Sequence, residues 1–170
     1  IVIDRPKILA QNHSPEWLAW QHAIKWVYKQ NYTFDIFLSL PTTSPLRNKN
    51  DIDRVIFNLD EETDIILTMT PSIRSPWFNM VVVNKKGYVK LIKNSNNIIQ
   101  RRQDAPLSYD LTTVAYATRP KFILENTNAF DGRVKCVKIP KKRAFDIDSI
   151  DELFENFDNR PLASASIAQV

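Results

Sequence analysis

Glycine is almost missing: Gly87 and Gly132 are the only two in 170 residues, against an average usage of about 7%. Neither stands in a glycine-rich run, so a phosphate-cradling loop of the P-loop or dinucleotide kind is excluded from this sequence. Cysteine is scarcer still, with Cys136 alone. One thiol makes no internal disulfide, which argues against a stapled secreted scaffold and for a reducing, cytoplasmic setting. No apolar run nears the roughly 20 residues of a membrane span, because Asp, Lys or Asn interrupts each one, and no membrane partner is expected. The two histidines, His13 and His22, have no partner at metal-ligand spacing.

What is present is a chain with 44% apolar residues, enough for one sizeable core and of a length for one domain. The net charge is +4 and the isoelectric point near 9.2. The 23 basic residues are interspersed with 19 acidic ones, and no aromatics interleave a basic stripe, so a nucleic-acid surface is disfavoured and small anions such as nucleotides are the expected partners. The opening Ile1-Val2-Ile3 is already strand-like. A start inside a domain, and hence a fragment, is the expectation.

Ser14-Pro15-Glu16 predicts a helix start, with a capping hydroxyl, proline at the first helical position and an acid in the first turn. Trp17, Trp20, Ile24 and Val27 then share a face, which carries the helix to about Lys29. Phe34 to Leu40 reads as a buried strand stopped by Pro41. Asp51 is the expected cap of a second helix that turns Ile52, Val55, Ile56 and Leu59 inward, and Ile65 to Met69 is a second buried strand. Helix, strand, helix, strand points to an α/β fold with a mainly parallel sheet, whose ligands gather at the carboxyl ends of the strands. Asn79 to Val83, a Lys85-Lys86-Gly87 turn and Tyr88 to Ile92 predict a β-hairpin arm. Strand character returns at Thr112 to Thr118 and Val134 to Ile139, and Ser149-Ile150-Asp151-Glu152 is a capping box opening a last helix through Phe157. The expected division is a domain over 1–150 and a terminal helix and tail of unassigned function over 151–170.

Three short motifs have chemical potential. Pro41-Thr42-Thr43-Ser44-Pro45-Leu46-Arg47 follows a strand, so its hydroxyls and guanidinium fall where ligands of such sheets bind; a proline-stiffened turn with an exposed arginine is the plainer reading. Arg101-Arg102-Gln103-Asp104 offers two planar forks that suit a carboxylate or phosphate, or else is a solvated charge run. Asp146-Ile147-Asp148 sets two carboxylates on one face of an extended segment, apt for Mg²⁺ with substrate phosphates, or simply favourable before a helix N-terminus.

In this order the motifs resemble those of the CMP-sialic acid synthetase (acylneuraminate cytidylyltransferase) family. The first is similar to its Leu-Pro-Ala-Thr-Ser-Pro-Leu-Arg loop, the second to its Arg-Arg-Gln-Asp, and Arg143 to Ser149 to its Arg-Ala-Ile-Asp-Ile-Asp-Thr. Asp4-Arg5-Pro6 through Ser14, and Tyr109-Asp110 through Tyr116, resemble two further segments. Gln11-Asn12-His13 departs from the aspartate usual in the former, and Pro41 from the base- or ribose-contacting glutamine of many members. The resemblance implies a Rossmann-like nucleotidyltransferase that transfers CMP from CTP to an acid sugar and releases pyrophosphate. It implies Mg²⁺ on Asp146 and Asp148, Arg101 and Arg102 at the reacting charges, and Arg5, Ser14, Gln103 and Tyr116 on the substrates. It also implies a homodimer built by the arm. The family's opening Ala-Arg-x-Gly-Ser-Lys-Arg loop for the CTP phosphates has no counterpart here, so this chain alone is expected to be inactive. The reading from another class is a non-catalytic remnant that acts as a dimerising interaction module.

Overall fold

The computed structural model describes residues 1–11, 13–94 and 99–147. The expected last helix, the tail over 151–170 and Asp148 lie outside the described residues.

Helix α1 spans Glu16–Lys29 and buries Trp17 and Ile24. Its start differs from the sequence reading. Pro15 holds the N-cap position, and Ser14 turns its hydroxyl back to donate to the Ile8 carbonyl at 2.7 Å. The helix stops where Asn31 enters the left-handed region, φ 61°, a conformation that ends helices and that asparagine tolerates. Strand β1 (Phe37–Ser39) is half-buried rather than buried, because it forms an edge of the sheet. Helix α2 (Lys49–Phe57) begins one turn earlier than expected: Asn48 is the cap and Asp51 closes a capping box with it. Val55 and Leu59 turn inward as expected, whereas Ile56 is exposed, since the helix ends directly after it.

Strands β2 (Ile65–Pro71), β5 (Tyr109–Thr118) and β6 (Val134–Lys138) complete a four-stranded sheet of order β1-β5-β2-β6. The sheet is mixed, which corrects the mainly parallel expectation. The β1–β5 and β2–β5 ladders are antiparallel and β2–β6 is parallel. The cause lies in residues 72–108, which leave β2 at its carboxyl end and re-enter at the same edge, so β5 has to run back down. Within that excursion β3 (Val81–Val83) and β4 (Val89–Leu91) form the expected hairpin as a separate two-stranded sheet, its turn closed by Gly87 at φ +83°.

The two faces of the sheet carry separate cores. On one face Val55 and Leu59 meet Ile66, Val114, Ala117, Val137 and Ile139. On the other, Trp17 and Ile24 of α1 and Ile123 of α3 (Pro120–Glu125) pack on Ile65 and Leu67. Helix α3 is tied to α1 by Trp17 Nε1, which donates to the Asn126 carbonyl at 2.8 Å. Burial from both sides explains why β2 reads as a continuous apolar run.

One irregularity sets up the site. Between Ile66 and Thr68 the β2–β5 register slips, so that two steps along β2 match five along β5, from Ala117 to Thr112. The bulge leaves backbone groups without ladder partners, and the buried Thr68 hydroxyl fills the gap. It lies 3.0 Å from the Thr112 carbonyl and 3.3 Å from that of Ala115, and it accepts from the Thr112 hydroxyl at 2.8 Å. No helix among the described residues is long and apolar enough to cross a membrane.

Candidate active site

The carboxyl ends of β1, β2 and β6 and the amino end of β5 share one edge of the sheet, as their registers require. All three sequence motifs reach that edge. The Pro41–Arg47 loop is rigid: Arg47 donates from Nε to the Ser44 carbonyl at 2.9 Å and from its terminal nitrogen to the Pro41 carbonyl. Ser44, fully buried, shares a 2.7 Å hydrogen bond with the Thr113 hydroxyl, which the bulge aims at it. The Arg47 guanidinium is therefore committed to its own loop, and burial lowers its pKa. The closing segment docks on this loop, with Ile147 N donating to the Thr43 carbonyl at 2.8 Å. Arg143 anchors it from below through a two-pronged pair with the fully buried Asp51, 2.8 and 2.9 Å. The same hydrogen bonds hold the Asp51 carboxyl below its ordinary pKa.

That docking creates an acidic cavity of about 290 Å³, lined by Thr70, Asp110, Thr112, Lys141, Phe145 and Asp146 among others. Asp110 is the direct cross-strand partner of Thr70, so the two side chains share a face. Thr70 Oγ1 is buried and has no hydrogen-bond partner among the described residues. Carboxylates, hydroxyls and room for water form a hard-oxygen donor set that fits Mg²⁺. Among the described residues no three His, Cys, Asp or Glu side chains converge as a complete metal cage. A cation here would draw remaining ligands from substrate or water.

Tyr116, on β5, packs against Trp20 with ring centroids 5.4 Å apart. Its pKa is pushed up to about 12, first by burial and then by the negative charges of Glu16 and Asp146. Glu16 is itself raised, chiefly by burial, with Trp20 and Arg5 opposing the shift. Glu16 thus couples electrostatically to both Arg5 and Tyr116, and Asp146 to Tyr116, whereas Ser14 spends its hydroxyl on the Ile8 carbonyl.

The arginine pair lies on the other side of the β2–β5 ladder. Arg101 spends its fork on Asp104 at 2.8 and 2.9 Å. Arg102 donates to the Ser72 carbonyl at 3.3 Å and lines a cavity of about 200 Å³ with Arg74, Ser75, Tyr109 and Lys138 among others. Gln103 is exposed in the short 3₁₀ turn Arg102–Asp104. The two neighbouring arginines therefore have different surroundings, and only one reaches the cavity. Sequence reasoning missed Arg74, Lys138 and Lys141, and named Asp110 only within the family-like Tyr109–Tyr116 segment, without a role. Lys138 had a positional signal, as the last residue of a strand ending at the ligand edge; the others had none.

No family model matches the chain. In sequence it is 28% identical over 117 residues to the post-translational flagellin modification protein B of Campylobacter coli, covering 68% of this chain and 48% of that protein. It is 31% identical over 84 residues to the CMP-N,N'-diacetyllegionaminic acid synthase of Campylobacter jejuni, covering 49% of this chain and 34% of that one. The chain thus spans about half the length of the first relative and about a third of the second. A solved CMP-2-keto-3-deoxy-manno-octonic acid synthetase complexed with CTP aligns with a TM-score of 0.48 at 12% identity, over 76% of this chain and 61% of that one. The sequence matches, together with the motifs gathered at one sheet edge, support a CMP-sialic-acid-synthetase-like family for this chain.

Proposed function

We propose that the chain is the core of a cytidylyltransferase that moves CMP from CTP to an acid sugar of the sialic acid type. In the reaction the sugar's anomeric hydroxyl oxygen bonds to the α-phosphorus, the bond to the β-phosphate oxygen breaks, pyrophosphate leaves and the hydroxyl proton is lost. The observation that carries this reading is the docking of the Asp146 segment on the Pro41–Arg47 loop through Ile147 and Thr43. It brings two motifs that are some hundred residues apart together at the carboxyl edge of the sheet. The name of the 31%-identical relative gives the direction of the chemistry.

Phosphoryl-type transfer needs positioning and charge neutralisation more than covalent help. Asp146, with Asp148, would hold Mg²⁺, which when bound neutralises triphosphate charge and lowers the pKa of a coordinated hydroxyl. Arg102 faces the negative charge of the sugar or phosphates, while Arg101 steadies the turn through Asp104. Gln103, Arg5, Ser14 and Tyr116 are assigned to substrate contacts, Tyr116 as a neutral phenol that donates a hydrogen bond.

A homodimer is part of the proposal. Val81, Val82, Val83, Tyr88, Val89 and Ile92 of the hairpin are all exposed, apolar side chains on both faces of a two-stranded ribbon that a second copy would cover. The two glycines lie in the hairpin turn and beside the Phe122 ring, so neither cradles phosphate. The chain alone is expected to bind CTP weakly and to release no pyrophosphate.

The test is a calorimetric panel of CTP, UTP, ATP and GTP with Mg²⁺ on the native chain. Preference for CTP is expected. Equal heats for all four, or none, would remove the cytidylyl assignment and favour an interaction module.

A further inference from the structure

We propose that Asp110 is a further direct ligand of the divalent cation in the acidic cavity and that the Thr70 hydroxyl positions it, so that the cation joins the β2–β5 ladder to the closing segment. The proposal deepens the cation reading of that cavity; it does not depend on which nucleotide the chain takes.

The hydroxyls next to Thr70 are spent. Thr112 donates to Thr68 at 2.8 Å, and Thr68 Oγ1 lies 3.0 Å from the Thr112 carbonyl. Thr70 differs: it is only 8% exposed, and its Oγ1 has no hydrogen-bond partner among the described residues. A buried hydroxyl left in that state costs stability unless something in the working protein accepts its proton. Thr70 lines the same cavity as Asp110 and Asp146, and Asp110 is its cross-strand partner. The unused donor is therefore beside two hard-oxygen groups.

Those carboxylates are uncommitted as well. Asp51, Asp60, Asp64 and Asp104 are each paired with an arginine or a lysine. Among the described residues Asp110 and Asp146 pair with none, although Lys141 lines their cavity. Two unpaired carboxylates on one hollow favour a divalent cation, and about 290 Å³ leaves room for the waters and phosphate oxygens that Mg²⁺ retains. Asp110 comes from the sheet and Asp146 from the segment docked on it, so a cation held by both is a bridge between them. Thr70 donates to neither carboxylate. The acceptor it fits is a water on the cation, an outer hydrogen bond of the kind that orients a metal site.

The experiment titrates Mn²⁺, a hard-oxygen cation that stands in for Mg²⁺, into the native chain without nucleotide and counts free Mn²⁺ by electron paramagnetic resonance. The variants are Asp110→Asn, Asp146→Asn, Thr70→Val and Thr70→Ser, with Asp53→Asn as a control outside the cavity; thermal unfolding is followed in each. Native protein should bind at about millimolar strength, as weak oxygen sites do. Asp110→Asn and Asp146→Asn should each weaken binding at least tenfold, Thr70→Val about tenfold, and Thr70→Ser and Asp53→Asn scarcely at all. Thr70→Val should unfold no earlier than native protein, because it removes an unsatisfied hydroxyl, whereas a merely structural threonine would lower the transition. Binding that needs Asp146 but ignores Asp110→Asn, an equal loss in Asp53→Asn, or no binding up to about 20 mM, above the range of weak oxygen sites, would overturn the proposal. A loss in Thr70→Ser as large as in Thr70→Val would overturn the role of the hydroxyl. Mn²⁺ binding that depends on Asp110 in a chain that ignores CTP would support the cation site and remove the cytidylyl reading alone.

Discussion

The two cavities at the carboxyl edge are a rung apart and opposite in sign. One is lined by Arg74, Arg102 and Lys138 with no carboxylate; the other by Asp110 and Asp146 with Lys141. Their supports differ as well. The acidic cavity exists only because residues 141–147 are pinned by Arg143 to Asp51 and by Ile147 to Thr43. The basic cavity is framed by the two ends of the hairpin excursion, where Ser72 N donates to the Ser108 carbonyl at 3.0 Å and the Ser108 hydroxyl to the Arg74 carbonyl at 3.0 Å. A sheet edge can thus present an acidic and a basic cavity, each positioned by a different tether.

The largest effect should come from the deeper tether. Arg143→Met leaves Asp51 fully buried without its partner, and an uncompensated buried carboxylate costs about 3–5 kcal/mol. Urea denaturation should show that loss. The pH dependence has a definite sign. The Asp51 pKa is depressed in the folded state, first by the Arg143 hydrogen bonds. Its contribution is therefore present above the unfolded carboxylate value of about 3.9 and fades as pH falls through the lower folded value. Native protein should lose this increment on acidification, and Arg143→Met should lose less, since only the Asn48 amide and the Arg54 charge still favour the ionised carboxyl.

Next in size is Thr68→Val, which removes the hydroxyl that fills the β2–β5 bulge just before the rungs that line the cavities. Leaving buried backbone groups unsatisfied costs about 1–3 kcal/mol, and both cavities should weaken together. A variant that impaired only one would show that the bulge supports one side alone. Smaller still, Arg102→Lys should reduce acid-sugar affinity several-fold by losing the planar fork, on the order of a single charge-assisted hydrogen bond. Arg101→Lys should scarcely alter it, since that fork is held by Asp104.

The smallest signal is spectroscopic. With its pKa pushed up to about 12, Tyr116 should ionise after the exposed tyrosines in an absorbance titration, and Tyr116→Phe should delete that late component. Because the unfolded phenol ionises near 10, stability should fall as pH rises from there towards the folded value.

The sequence made α1 and β2 legible because local patterns decide them: Trp17, Trp20, Ile24 and Val27 recur at helical spacing, and Ile65 to Leu67 are apolar on both faces. Strand direction is not a local property. Nothing in residues 72–108 announces that the chain returns to the edge it left, so alternating helices and strands read as a parallel sheet. The start of α2 was readable in Asn48 and Asp51, three apart, but the burial of Asp51 was not, because its partner Arg143 is 92 residues away. The site divides in the same way. The motif containing Asp146 was visible as a string, whereas Arg74 and Lys138 are single cations whose convergence exists only after folding.

The most direct test of the central claim is a calorimetric titration of CTP into the native chain and into Asp146→Asn, each with and without Mg²⁺. The account expects a weak, saturable, Mg²⁺-dependent heat with native protein that disappears in the variant while the thermal unfolding curve stays unchanged. CTP binding that ignores both Mg²⁺ and the loss of the Asp146 charge would contradict it.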